Sequence, residues 1–118
     1  MDTLFLRDFR LQMIIGIYAW ERQVPQTVQL DLEIGLSHSR ACHTDDVADS
    51  INYAEVAQRI RDTITQRDFN LVEALAEHIA QLVITEFGAP WVKVCVTKLA
   101  VVRGIQQLGV CIERGQKV

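Results

Sequence analysis

The chain has 118 residues, enough for one hydrophobic core and too few for two, so residues 1–118 are expected to form a single domain. A content of 49% hydrophobic and 23% charged residues excludes a disordered chain, and no apolar run is long enough to cross a membrane as a helix. The formal net charge of −3 argues against a binder of nucleic acid, which needs a basic face.

The N-terminal Met1-Asp-Thr-Leu-Phe-Leu-Arg7 has an early acid, a short apolar run and no small-residue cleavage site, so no signal peptide and a cytoplasmic location are expected. Cys42, Cys95 and Cys111 are odd in number and lack paired spacing, which predicts reduced thiols rather than a disulfide framework.

In chain order, residues 3–15 are apolar and β-favouring, with Phe9, Leu11 and Met13 alternating against Asp8, Arg10 and Gln12; they read as a first strand. Gly16 interrupts it, and Ile17 to Pro25 reads as a loop with Trp20 and Glu21 at its tip. From Val28 to Leu36 the alternation is complete, which predicts a second strand in an antiparallel hairpin with the first. Ser37 to Asp49 is polar and reads as a connection.

Two helices are expected next. Asn52 is a candidate cap with Glu55 three residues on, and Tyr53, Val56, Ile60 and Ile64 form a stripe at helical intervals. Asn70 and Glu73 repeat that spacing before a stripe of Leu71, Leu75, Ile79 and Leu82, which Gly88 and Pro90 end. A strand at 91–98 and a short one at 108–112 complete the order ββααββ, an α+β domain with two helices on one face of a four-stranded antiparallel sheet. The helices cover one sheet face only, while Leu4 or Phe5, Trp91 and Cys95 fall on the other, so a homo-oligomer is expected.

The register of the third strand raises a question of chemistry. Val92, Val94 and Val96 share one face and Lys98 follows them on it, which aims an ammonium at the edge of the core. Such a lysine either snorkels into water, the commoner fate, or is desolvated and able to act as a base. Glu73 caps a helix or, as a carboxylate with two acceptor oxygens, receives two parallel N–H donors of a heterocycle. Tyr53 reads as a core aromatic and Glu21 as a solvated loop acid beside Arg22. No phosphate-cradling glycine loop, nucleophile elbow or set of ligands at zinc spacing occurs, so neither cofactor nor metal is expected.

Taken in order, Gly16-Ile-Tyr-x-Trp-Glu21, Thr44-Asp-Asp-x-Ala-Asp49 with Tyr53 after it, Phe69-x-Leu-Val-Glu73-x-Leu-Ala-Glu77, Lys98 and Gly109-Val-x-Ile-Glu-Arg-Gly115 make the chain resemble dihydroneopterin aldolases over essentially its whole length. The resemblance implies the tunnelling fold, tetrameric rings paired into an octamer, a pterin substrate and a place in folate biosynthesis. It implies a pterin-anchoring carboxylate at Glu73 with the backbone at Val72, substrate contacts from Glu21 and Tyr53, and an acid/base lysine at Lys98. It also implies a site between subunits, with Tyr53 supplied by the neighbour of the chain that holds Lys98 and Glu73. The segment Lys98-Leu-Ala-Val-Val-Arg103 departs from the family's Lys-Pro-Gly-Ala pattern and is similar to the related dihydroneopterin triphosphate 2′-epimerases. Epimerisation of the triphosphate, or pterin binding without catalysis, is the alternative that this departure motivates.

Overall fold

The computed structural model describes residues 1–117, with 100–102 as backbone. Four strands, β1 (Thr3–Met13), β2 (Gln26–Gly35), β3 (Trp91–Val102) and β4 (Ile105–Gly115), form one antiparallel sheet in the order β1-β2-β3-β4. Between β2 and β3 the chain forms one helical turn, α1 (Ala41–Thr44), a 3₁₀ turn at Val47–Asp49, and two long helices, α2 (Tyr53–Gln66) and α3 (Val72–Phe87). The ββααββ expectation holds, and the architecture is the tunnelling fold.

Sheet and helices meet along the positions that the alternation marks. Val28, Leu30, Leu32 and Ile34 of β2 and Val92, Val94 and Val96 of β3 are fully buried, and they pack with Val56 and Ile60 of α2 and Leu75, Ile79 and Val83 of α3. In β1 the inward parity changes: Leu4 and Leu6 precede a bulge at residues 7 and 8, after which Phe9, Leu11 and Met13 face the core. Asp8 absorbs the extra residue in a left-handed conformation (φ 56°), and its N–H donates to Asp31 Oδ1 at 2.9 Å. The bulge explains why Leu4 and Phe9 share a face although five positions apart, and it assigns Phe5 to the open side.

Several expectations are corrected. β3 and β4 run beyond 98 and start before 108, because Arg103-Gly104, with Gly104 at φ 85°, closes a two-residue hairpin between Val102 and Ile105. Tyr53 leaves the α2 stripe: it is the first helical residue and 63% exposed, whereas Val56, Ile60 and Ile64 are buried. Asn52 caps α2 as expected, accepting from the N–H of Ala54 and Glu55. Asn70 does not cap α3. That helix begins one residue later, with Leu71 at the N-cap and no side-chain cap, so Glu73 falls at the second helical position, outside capping-box spacing.

The cysteine expectation is overturned as well. The β3–β4 register sets Cys95 directly opposite Cys111 with Cα atoms 4.0 Å apart, and the two are disulfide-bonded, while Cys42 is free and exposed. Spacing in sequence did not reveal the pair, because a hairpin opposes residues whose separation depends on where its turn falls.

Candidate active site

Lys98 lies opposite Val28 of β2 and Leu108 of β4, on the buried side of the sheet, and is only 7% exposed. It does not snorkel. Its Nζ donates to Glu21 Oε2 at 2.7 Å, and Glu21, placed by periodicity at a solvated loop tip, is 5% exposed. The strap between β1 and β2 folds inward because its turns are hydrogen-bonded to themselves, with the N–H of Glu21 and Arg22 donating to Tyr18 O. Trp20 remains exposed beside it.

Both carboxylate oxygens of Glu21 accept hydrogen bonds. Oε1 receives the Tyr18 N–H at 3.4 Å, and Oε2 receives the Gln26 amide at 3.4 Å as well as Lys98. Gln26 is fixed in turn by donating to Ile15 O at 2.8 Å. The carboxyl is held below the ordinary carboxylate range chiefly by the hydrogen bond from Lys98; burial opposes that shift, and Tyr18 and Gln26 assist it. Gly16 is required here. Its φ is 137°, and a Cβ at this position would overlap the Glu21 carboxylate.

The pair forms one wall of a pocket of about 200 Å³. Ile17, Tyr18 and Trp20 of the strap line one side, Leu108 of β4 lies beside Lys98, and Asn70, Leu71, Val72 and Glu73 bring the start of α3 to the other. An α-helix leaves its first N–H groups without intrahelical partners. Without a side-chain cap, α3 therefore presents amide donors and the exposed Glu73 carboxylate together at the rim. The pocket thus offers a cation–carboxylate pair, a second carboxylate and apolar walls, a combination suited to a flat heterocycle carrying a polar side chain.

Of the residues singled out from sequence, Lys98, Glu21, Val72 and Glu73 are brought together, and Tyr53 is not. Tyr53 opens onto a separate recess with Asp46, Val47 and Ile51. The Thr44-to-Asp49 motif shapes that recess: Thr44 Oγ1 donates to Asp49 Oδ2 at 2.7 Å, and Asp46 Oδ1 accepts the Ala48 N–H at 3.0 Å. Sequence reasoning missed Gln26 and Leu108, which carry no signal of their own; only the register across β3 and β4 pairs Leu108 with Lys98. Among the described residues no group of three or more His, Cys, Asp or Glu side chains is placed to hold a metal ion. His78 packs instead against Phe69 and lies 2.9 Å from Thr63 Oγ1. No helix among the described residues is long and apolar enough to cross a membrane. The segment from Leu99 to Arg103 includes the side chains of 100–102, which lie outside the described residues.

The chain is similar to known proteins over essentially its whole length. A family model described as dihydroneopterin aldolase matches residues 4–113. The dihydroneopterin aldolase of Escherichia coli strain K12 is 34% identical over 118 residues, covering 100% of this chain and 97% of the relative. That of Haemophilus influenzae is 35% identical, covering 98% of each. The crystal structure of E. coli dihydroneopterin aldolase in complex with neopterin superposes with a TM-score of 0.92 at 35% identity, over 98% of this chain and 100% of that one. A buried lysine–carboxylate pair facing an uncapped helix start is thus found on a chain that belongs to the dihydroneopterin aldolase family.

Proposed function

We propose that the protein is a lyase that cleaves 7,8-dihydroneopterin by a retro-aldol reaction to 6-hydroxymethyl-7,8-dihydropterin and glycolaldehyde, a step of folate biosynthesis. The observation that carries the reading is the buried Lys98–Glu21 pair in a pocket whose opposite rim bears Glu73. Glu73 accepts the donors of the pterin amino group and N3, and the backbone at Val72 adds to the same edge. Lys98, once its ammonium proton has passed to solvent, takes the proton of the 2′-hydroxyl directly or through a water. The C1′–C2′ bond within the side chain then breaks as C2′ becomes the carbonyl of departing glycolaldehyde, its electrons pass through C1′ into the N5=C6 imine, and the enamine regains a proton at C1′ to give the hydroxymethyl product. The substrate's own imine is the electron sink, so this chemistry requires neither metal nor Schiff base. The Glu21 carboxylate stands 2.7 Å from the Nζ that takes up the 2′-hydroxyl proton.

Tyr53 enters the reaction from a neighbouring copy. Three observations support this: Tyr53 and Val47 are exposed outside the pocket, Phe5 is exposed on the open sheet face, and β1 and β4 are sheet edges. The radius of gyration, 15.3 Å, also exceeds the value of about 13.5 Å that compact chains of this length show. The proposed assembly is a ring of four chains paired into an octamer.

The test is incubation with 7,8-dihydroneopterin and measurement of glycolaldehyde; none released from folded protein would refute the lyase. The shared site is tested by mixing inactive Lys98→Ala and Tyr53→Ala proteins after dissociation and reassembly. Turnover regained in the mixture supports a site built from two chains, and none regained speaks against it.

A further inference from the structure

We infer that Arg22 is a positioning residue that sets the width of the pocket, clamping the strap that carries Glu21 to the turn that launches α3. This rests on the reading of the pocket as the pterin site. Arg22 does not line the pocket; it lies behind it. One guanidinium nitrogen, Nη1, donates to Phe69 O at 3.2 Å and to Gly16 O at 3.4 Å, and the other, Nη2, donates to Asp68 Oδ2 at 3.2 Å. Phe69 O also accepts the Gly16 N–H at 3.3 Å, and a lone parallel bridge joins Ile15 to Phe69. The guanidinium therefore braces the place where, among the described residues, the strap and the approach to α3 are joined backbone to backbone.

Position makes this junction consequential for ligand binding. Immediately after Gly16 come the strap residues of one pocket wall, and immediately after Phe69 come Asn70 to Glu73 of the other. The ion pair with Asp68 joins a half-buried guanidinium to an exposed carboxylate and by itself contributes little. The two carbonyls are the larger part of the clamp, because their bonds to the charged donor are partly buried whereas the bond to Asp68 is exposed to water. A lysine, a point charge without the fork, cannot serve two carbonyls and a carboxylate at once. Glu21 is also held by Gln26 and the Tyr18 N–H, and Lys98 by its place in β3, so loss of the clamp loosens the walls and leaves the pair formed.

The experiment compares Arg22→Ala, Arg22→Lys and a control, Arg59→Ala, which removes a helix-surface arginine paired with Glu86. Steady-state kinetics with 7,8-dihydroneopterin are combined with amide hydrogen exchange at Gly16. Arg22→Ala is expected to raise KM at least about fivefold with kcat within about twofold, as loss of binding shared by ground and transition states does. Arg22→Lys is expected to recover less than half of that change, and Gly16 exchange is expected to accelerate in both. Should Arg22→Ala not fold, Arg22→Lys carries the test. Unchanged KM, full recovery by lysine, unchanged Gly16 exchange or an equal rise in KM in Arg59→Ala overturns the inference. If the wild type releases no glycolaldehyde, the functional reading fails, and the exchange at Gly16 still decides the clamp.

Discussion

The Nζ of Lys98 and Oε2 of Glu21 stand 2.7 Å apart, although 77 positions separate them in the chain. Removing one partner of such a pair strands a charge away from bulk water. For Glu21→Gln the expected loss of stability is about 2 kcal/mol, less than for a pair deep in a core because pocket water reaches this one. Urea denaturation at neutral pH measures it, and a loss below a few tenths of a kcal/mol would show that the pair is strained or already solvated.

The same pair sets a pH dependence. The folded-state pKa of Glu21 lies below the ordinary value of about 4.5, so the unfolded chain binds its proton first as pH falls. The stabilisation is fully present above about 4.5 and is lost as the pH falls through the folded-state value. The stability gap between wild type and Glu21→Gln should therefore narrow on acidification below 4.5 and hold steady from there to neutrality.

Catalysis and binding should separate by residue. Lys98→Ala is expected to lower the rate of cleavage by about 10²-fold or more, the scale of a positioned acid/base, with neopterin affinity changed only a few-fold. Glu73→Ala should mainly weaken affinity. Single-turnover kinetics and fluorescence titration distinguish the two; cleavage in Lys98→Ala within a few-fold of wild type would end the assignment.

Two glycines with positive φ should answer differently to alanine. At Gly16 the methyl meets the Glu21 carboxylate, so Gly16→Ala should displace Glu21, lower stability and depress turnover. At Gly88, φ 68°, nothing lies within 4 Å, and Gly88→Ala should cost only the left-handed backbone preference, about 1 kcal/mol. Equal effects would contradict the close packing of Glu21 on Gly16.

Burial, with the nearby Arg67 and Arg59, lowers the pKa of His78 below 6.5. A histidine depressed in the fold contributes stability that is present above the unfolded value and lost as the pH falls through it. Wild-type stability should decline below about pH 6.5, and His78→Gln, which keeps a polar partner for Thr63, should flatten that decline. Parallel urea midpoints for the two proteins across this range would argue against it.

Periodicity determined the strands, the two long helices and their order, since alternation in Val28 to Ile34 and the helical stripes of Val56, Ile60, Leu75 and Ile79 are local patterns that read the same in any fold burying them. It also determined that Lys98 follows three valines onto the core face, because strand parity is a local property. What Lys98 meets there was decided by tertiary structure: the strap had to fold inward to bring Glu21 from a loop tip against Lys98. The start of α3, the bulge at Asp8 and the Cys95–Cys111 pairing likewise escaped the sequence, because each depends on a one-residue choice of register that periodic patterns leave free. Tyr53 shows the same division in reverse, since its helical spacing with Val56 and Ile60 suits a core stripe, and only the packing of α2 against the sheet turns it outward.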